Sequence, residues 1–340
     1  MTARHGAVLS VTGVSRQFDG APHKLFGRQR SEGVLAVRDV SFSVAQGEVL
    51  GLVGESGSGK TTLARMLVRL LRPTAGTVLL HGRDIYAMSD ETVRRDVRPR
   101  VRMIFQDPDA ALNPGYTIGE GIARAVALHA AGAVADVEGV VSSLLERVGM
   151  DGSYGRKYPD ELSGGEKRRI GICRALSTDP DVIVADEPLS GLDVMLQERV
   201  LELLLTERAR RGFAIILVSH DLERVNQVCD RVLVMLRGRV VEEVRVRPSD
   251  GGVTPYRHPY SVSLQLARTG LVGSLQGGEG AMLPASRDGA VVSGCVLATG
   301  CAMRVALGLP DVCAQAPPPL VAIAEGHQVT CHFADSLPAG

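Results

Sequence analysis

The feature that most constrains this chain is a glycine-rich stretch at residues 48–62, which reads EVLGLVGESGSGKTT. It begins with an apolar run short enough for one buried strand, and a helix-like stretch follows it through Leu71. Strand, glycine loop and helix form the context that the phosphate-binding pattern G-x-x-x-x-G-K-[ST] requires. The pattern therefore predicts a P-loop with these nucleotide-binding residues: Gly54, Glu55, Ser56, Gly57, Ser58, Gly59, Lys60, Thr61 and Thr62.

Each residue type in this loop suits phosphate chemistry. The glycines allow a tight turn that aims backbone N–H groups at phosphate oxygens. Because the helix starts at the phosphates, its partial positive end faces the anion. We expect Lys60 to reach the β- and γ-phosphates of a bound nucleotide as a catalytic contact, and the hydroxyl of Thr61 to bind Mg²⁺.

A pair of carboxylates ends a second apolar run, DVIVADE at residues 181–187. Asp186 stands at the end of a strand of this kind, where it can hold Mg²⁺ opposite the P-loop. Glu187 follows it and can orient or deprotonate the attacking water, which predicts a catalytic role. The plainer alternative is two surface carboxylates at a strand end.

A second anion site is indicated by LSGGE at residues 162–166. Ser163 is a typical N-cap, and the two glycines after it expose the first N–H groups of a helix that runs through Leu176. A long helical stretch separates this motif from the P-loop. We therefore expect the two anion sites to serve different phosphate groups.

Strands alternate with helical stretches, which predicts an α/β fold with a largely parallel sheet. The runs at 181–186 and 213–219 are apolar and β-branched, as buried parallel strands are. Residues 107–160 read as helical instead, because apolar residues recur there at every fourth position. The composition shifts near Arg247, so we expect one domain over 1–247 and an extension over 248–340 that is rich in Gly and Pro.

Composition limits the classes of function. Of the 340 residues, 45% are hydrophobic and 22% charged, as in ordinary globular proteins. The formal net charge is zero, so nothing in the charge balance favours a nucleic-acid or anionic-membrane partner. No run approaches 18 apolar residues and the first residues lack a signal-peptide pattern. We expect a cytoplasmic protein whose six cysteines stay reduced.

The order of the motifs resembles that of the ATP-binding-cassette (ABC) ATPases over residues 8–244. The P-loop is followed by Gln106, LSGGE, DVIVADE, Ser190-Gly191-Leu192-Asp193 and His220. The resemblance implies an ABC-type nucleotide-binding domain with a parallel-sheet core, an antiparallel β subdomain and a helical subdomain at about 107–160. A small cysteine-containing extension follows it.

The resemblance also assigns roles to residues. Two cassettes associate head to tail and hold two ATP molecules, each between the P-loop of one chain and the signature residues of the other, Ser163, Gly164, Gly165 and Glu166. Gln106 binds Mg²⁺ and senses the γ-phosphate, and His220 holds that phosphate. Asp193 signals across the dimer and Phe18 stacks on adenine. Glu166 stands where the family commonly has Gln, Phe18 could also be a core residue, and His220 could be an ordinary strand-end residue.

Three further motifs resemble the peptide and nickel importer branch: FQDP at 105–108, ALNP at 111–114 and HPY at 258–260. This implies an ATPase subunit at the cytoplasmic face of the cell membrane, working on di- or oligopeptides. Its partners would be a second cassette, two permease subunits and, indirectly, an extracytoplasmic substrate-binding protein, but no nucleic acid. The alternatives are a nickel or metal-chelate importer, an exporter, and a soluble ABC ATPase of nucleic-acid metabolism.

Four cysteines lie in the extension with the spacing C-x5-C-x11-C-x17-C, namely Cys295, Cys301, Cys313 and Cys331. So little apolar material surrounds them that the segment needs a staple, and in a reducing cytoplasm the staple is a metal rather than a disulfide. Zinc, a [4Fe–4S] cluster and no metal at all remain open, although zinc sites usually contain a C-x2-C pair. The resemblance favours the cluster. Cys173 and Cys229 lie inside cassette helices and are expected to be core residues.

Overall fold

The computed structural model describes residues 6–19, 24–25, 28–29, 33–129, 136–246, 256–268, 294–308 and 311–337. Their strands are β1 (Ala7–Phe18), β2 (Lys24–Leu25), β3 (Arg28–Gln29), β4 (Val34–Ala45), β5 (Val49–Val53), β6 (Ala75–Leu80), β7 (Arg83–Asp84), β8 (Val101–Ile104), β9 (Val182–Asp186), β10 (Ala214–Ser219), β11 (Arg231–Leu236), β12 (Arg239–Arg245), β13 (Leu320–Ala324) and β14 (His327–Thr330). Their α-helices are α1 (Lys60–Leu67), α2 (Asp90–Thr92), α3 (Ile118–His129), α4 (Val137–Arg147), α5 (Gly164–Ala175), α6 (Val194–Arg211), α7 (Leu222–Val228), α8 (Pro259–Arg268), α9 (Ala302–Ala306) and α10 (Val312–Gln315).

The central sheet has the strand order β13-β14-β12-β11-β5-β10-β9-β8. Strands β11, β5, β10, β9 and β8 run parallel to one another, and β12 turns back antiparallel to β11. Every residue of β5, β9 and β11 is buried, as expected for parallel strands covered on both faces. The expected parallel-sheet core is confirmed.

A smaller antiparallel sheet, ordered β4-β1-β6-β7, covers one face of the central sheet. Alternation along β5 explains how both faces are filled. Leu50 and Leu52 point into a core shared with the antiparallel sheet and α1, whereas Val49 and Val53 point into a second core on the opposite face. One expected boundary differs slightly, since α1 ends at Leu67 rather than near Leu71.

Helices α3 and α4 and two short 3₁₀ turns fill residues 118–161 outside the undescribed 130–135. The fourfold spacing that predicted them is confirmed, because Ile118, Ile122 and Val126 are buried on one face of α3. These side chains join Leu144 and Leu145 of α4 in the second core. The helical segment thereby packs onto α5, the helix that follows the LSGGE motif.

The extension contributes to the central sheet. Strand β14 pairs antiparallel with β12, where Glu242 lies opposite Val329, and β13 pairs with β14. Val296 and Leu297 are buried in the second core, so this segment uses the core of the cassette instead of building its own. The boundary near residue 247 stays a prediction, and residues 247–255 and 269–293 lie outside the described part. Among the helices the structure describes, none is long and apolar enough to span a membrane.

Candidate functional site

Three parallel strands bring the predicted catalytic motifs to one edge. The end of β5 lies beside the end of β10, with Val53 paired to Ser219, and Asp186 at the end of β9 is paired to Val218. The P-loop leaves β5, Glu187 follows β9 and His220 follows β10. Carboxyl ends of parallel strands are the usual ligand sites of α/β sheets.

The P-loop fits into a narrow space that only glycine allows. Gly59 adopts the left-handed conformation with φ of 103°, and a Cβ there would collide with the carbonyl oxygen of Ala36. A Cβ at Gly54 would collide with the carbonyl oxygen of Met235. The loop therefore passes between β4 and the β11–β12 turn, and its helix α1 begins directly at Lys60.

Lys60 is nearly buried at the base of this loop. Its Nζ donates to the carbonyl oxygens of Gly54 at 2.7 Å and Glu55 at 2.8 Å. Burial lowers the pKa of Lys60, and the nearby carboxylates of Glu187, Asp186 and Glu55 oppose that shift. The loop's own backbone thus holds the ammonium group beside the carboxylates.

Thr61 and Asp186 bring two side-chain oxygens together across the site. The Thr61 hydroxyl donates to Oδ1 of Asp186 at 3.2 Å. Burial raises the pKa of Asp186, and the hydroxyl partly offsets this. A buried carboxylate beside a hydroxyl is the oxygen donor set that Mg²⁺ takes.

Glu187 and His220 contact each other beside this pair. Nδ1 of His220 lies 2.8 Å from Oε2 of Glu187. Glu187 has a positive φ of 47°, which a non-glycine residue adopts only under strain, and its N–H donates to the carbonyl of Val218 at 3.0 Å. The Glu187 side chain is 12% exposed and that of His220 is 59% exposed, so the carboxylate lies inside and the imidazole faces outward.

Gln106 and Phe18 lie at the margins of the site. Ile104 of β8 pairs with Ala185 of β9, so Gln106, two residues beyond β8, is exposed close to the Asp186 edge. Phe18 pairs with Val34 at the end of β1, and the Arg16 guanidinium stacks 4.8 Å from its ring. Phe18 is 36% exposed, so it is not a core residue.

The signature residues cap helix α5. Ser163 is the N-cap, and its N–H and hydroxyl both donate to Oε2 of Glu166 at 2.7 Å, while the N–H of Glu166 donates back to its hydroxyl. Tyr154 also donates to Glu166, and these bonds lower the pKa of Glu166 to about 2. Gly164 is exposed and Gly165 is buried against Leu196. The predicted N-cap is therefore confirmed, with a full negative charge in the capping box.

Asp193 is the N-cap of helix α6. Its Oδ1 accepts the N–H of Leu196 at 2.9 Å. Both Ser163 and Asp193 are exposed to solvent, as a contact to a second chain would require.

Arg168 links three of these motifs and was missed by the sequence analysis. From helix α5, its Nη1 donates to the carbonyl of Phe105 at 3.1 Å and its Nη2 donates to the carbonyl of Ser190 at 2.9 Å. It is 5% exposed, and burial lowers its pKa while Asp107 and Glu187 oppose the shift. The available signal was an arginine two residues after the LSGGE motif, but only the fold shows that its side chain points inward.

The four extension cysteines lie near one another. The N–H of Cys295 donates to the carbonyl of Cys313 at 2.8 Å. Burial raises the pKa of Cys295 to about 11, and the thiols of Cys301, Cys313 and Cys331 contribute. In the described ranges, no three His, Cys, Asp or Glu side chains are arranged to hold a single metal ion. Cys173 and Cys229 are buried core residues, as expected.

The fold and this edge define a P-loop nucleotide-binding cassette. The sequence model of the ABC transporter family matches residues 37–190. The oligopeptide transport ATP-binding protein AppF of Bacillus subtilis is 37% identical over 338 residues, which cover 97% of this chain and 98% of AppF. OppF of the same organism is 40% identical over 232 residues, 68% of this chain and 75% of OppF.

Solved structures agree with these relatives. The ATP-binding cassette MJ0796, in a dimeric post-hydrolysis state bound to ADP and Pi, matches with a TM-score of 0.62 and 25% identity, covering 70% of this chain and 99% of that chain. The expected cassette fold is confirmed. The chain belongs to the ABC transporter family, and it is an ATPase.

Proposed function

We propose that ATP hydrolysis by this chain energises the import of di- or oligopeptides through a membrane transporter. The observation that carries the proposal is the full-length match to AppF, whose name describes oligopeptide transport. The family model ends at residue 190, whereas the match to AppF covers 97% of this chain and so includes the extension beyond the cassette. A nickel or metal-chelate importer is the alternative that the same branch allows.

At the nucleotide, each contact has a separate task. Thr61 and Asp186 would hold Mg²⁺, with Gln106 at the open side, and the metal would supply charge neutralisation on the phosphates. Lys60 offers a positive charge to the β- and γ-phosphates. Glu187 would take the proton of the attacking water. The His220 imidazole would hold that carboxylate in place and would itself face the γ-phosphate. Phe18 offers an exposed ring to adenine.

The working unit is a pair of cassettes. The N-terminus of α5, where Ser163 and Gly164 are exposed beside Gly165 and Glu166, would face the γ-phosphate held by another chain. The dimeric state named for MJ0796 supports this arrangement. Asp193, exposed at the start of α6, would lie at the same interface.

The permease subunits would dock on the groove beside the Gln106 segment. This groove has a volume of about 600 Å³, and its lining includes Phe105, Leu112, Tyr116 and Leu128. Leu128 is 77% exposed, and the Arg124 guanidinium covers the Tyr116 ring at 4.0 Å. An exposed apolar surface with a cationic rim suits a helical loop of a membrane subunit. Such docking would hold the chain at the cytoplasmic face of the membrane, with an extracytoplasmic binding protein delivering the peptide.

We also propose that the extension cysteines bind a [4Fe–4S] cluster. Its four irons each take a different thiolate, whereas zinc needs four sulfurs about 2.3 Å from one centre. The proposal rests on the four thiols, which interact with one another in the structure and match the number that such a cluster takes. The cluster's role would be structural or regulatory, because the cysteines are not among the nucleotide contacts.

The test of the transport function is reconstitution. The chain is purified from its own membranes with the subunits that accompany it and placed in liposomes. Uptake of labelled trialanine and hexa-alanine is compared with uptake of nickel–histidine, with the Glu187→Gln complex as the inactive control. ATP-dependent uptake of peptide supports the proposal. Uptake of nickel–histidine alone, or of neither substrate by a complex that still hydrolyses ATP, contradicts it.

A further inference from the structure

The extension contacts the P-loop directly. Tyr260, in the first turn of α8, is 1% exposed, and its phenol oxygen accepts the peptide N–H of Glu55 at 3.0 Å. The two residues are 205 positions apart in sequence. Tyr260 therefore joins the loop to an element outside the family model's match, which ends at residue 190.

The peptide that Tyr260 holds is the one that holds Lys60. The N–H of Glu55 is bonded to the phenol, and the carbonyl oxygen of Gly54, which belongs to the same peptide unit, accepts Nζ of Lys60 at 2.7 Å. A shift of this peptide would move an acceptor of the lysine whose charge faces the phosphates. The phenol thus acts on the site through one peptide unit, without contacting Lys60 itself.

Tyr260 is itself fixed by a buried carboxylate. Glu242 of β12 is 0% exposed and accepts the N–H of Arg257 at 2.7 Å, the N–H of His258 at 3.3 Å and Nε2 of His327 at 2.6 Å. The N–H of Tyr260 in turn donates to Nδ1 of His258 at 3.3 Å. A buried carboxylate with several donors holds those donors rigidly, because the loss of any one of them would leave a buried carboxylate poorly solvated.

We propose that Tyr260 is a positioning residue for ATP binding, which fixes the Gly54–Glu55 peptide and through it Lys60. The function of the first residues of the extension is then to support the P-loop. This holds for whatever substrate the transporter carries, so it does not rest on peptide import.

The test separates the phenol oxygen from the packing of the ring. Tyr260→Phe removes one oxygen and keeps the aromatic side chain in place. Tyr256→Phe is the matched control, because Tyr256 is 3% exposed in the same segment and its phenol donates to Oδ1 of Asn226 in α7 at 2.6 Å. Affinity for the non-hydrolysable analogue MgAMP-PNP is measured by calorimetry on the isolated full-length chain, alongside Tm.

We expect Tyr260→Phe to weaken MgAMP-PNP binding roughly 3- to 10-fold, the net effect of one hydrogen bond. Tyr256→Phe should bind as the wild type does, even where both variants lower Tm by similar amounts. In the assembled transporter, the same loss should appear mainly in KM for ATP, with kcat less changed. Wild-type affinity in Tyr260→Phe overturns the proposal, and so does an equal loss in both variants, since that would be a general effect of loosening the extension.

Discussion

Nδ1 of His220 lies 2.8 Å from Oε2 of Glu187, and the two residues follow neighbouring parallel strands. The contact joins the residue expected to activate water to the one expected to hold the γ-phosphate. A carboxylate held by an imidazole keeps one orientation, which suits it to accept a proton from the attacking water. The strained backbone of Glu187 indicates that the fold enforces this orientation.

Glu187→Gln should keep nucleotide binding and lower ATP turnover roughly 100- to 10,000-fold, because an amide cannot accept the proton of water.

Lys60→Ala should instead weaken MgATP binding about 10- to 100-fold, the loss expected for a charge-assisted contact. Calorimetry and steady-state phosphate release measure the two effects. Turnover near the wild-type rate in Glu187→Gln would show that another group activates the water.

Two inactive variants should complement each other if the chain pairs with itself. Lys60→Ala destroys the P-loop side of a site and Ser163→Arg blocks the signature side, so a mixed dimer keeps one complete site. Equimolar mixing should restore ATPase activity that neither variant has alone. If both variants are folded and no activity returns, the partner cassette is a different chain.

A charge placed in the groove proposed to receive the permease subunits should separate ATP hydrolysis from transport. Tyr116→Asp puts a carboxylate on the apolar lining, where Arg124 now covers the ring. Peptide uptake in liposomes should fall at least tenfold, whereas hydrolysis by the detached chain should stay within about twofold of wild type. Tyr158→Asp, at an exposed tyrosine that is absent from the groove lining, is the control. Equal uptake by the two variants would place the membrane subunits elsewhere.

His258 should make the stability of the protein depend on pH. Burial lowers its pKa to about 4, and the neighbouring Glu242 carboxylate opposes this, while His327 contacts the same carboxylate. Because the unfolded pKa is about 6.5, the unfolded chain binds a proton between these values and the folded chain does not. This stability is complete above pH 6.5, and the free energy of unfolding falls by up to about 1.4 kcal/mol for each pH unit below it.

Chemical denaturation between pH 7.5 and pH 5 tests this pH dependence. The free energy of unfolding should fall more steeply with acidification in wild type than in His258→Gln, whose amide does not titrate. Parallel curves for the two proteins would mean that His258 is protonated normally in the fold.

Anaerobic purification tests the cluster. The protein should be brown, absorb broadly near 400 nm as such clusters do, and contain about four irons and four sulfides per chain. Cys313→Ser should lose the colour, whereas Cys229→Ala, a change at a buried core thiol, should keep it. Colourless wild type with only zinc, or with no metal at all, would refute the cluster.

Local motifs were predictable from the sequence because their function depends on neighbouring residues. The P-loop, the Asp186–Glu187 strand end and the Ser163 cap each lie within a few positions, and the fold places them as expected. The apolar runs likewise predicted the buried parallel strands β5, β9 and β10. The contacts that sequence could not supply join distant segments: Tyr260 with Glu55, and Arg168 with Ser190. No spacing rule relates residues that meet only after the sheet has formed.

Glu242 shows a second limit. Nothing in the run VVEEV sets Glu242 apart from its neighbour Glu243, which pairs with Arg231 at 2.6 Å. Glu242 faces the other way and is completely buried, because the extension covers that face. The burial of Glu242 depends on residues up to 85 positions later in the chain, so the pattern of residues along β12 does not predict it.

The pairing of β14 with β12 has a practical consequence for how the cassette can be cut. A chain ending near residue 247 would leave the backbone of β12 as an open edge, with N–H and C=O groups free to pair with other molecules. It would also remove His327, Arg257 and His258 from the buried carboxylate of Glu242. A cassette prepared without its last 93 residues is therefore expected to aggregate through edge-to-edge strand pairing, even though every ATP motif is present.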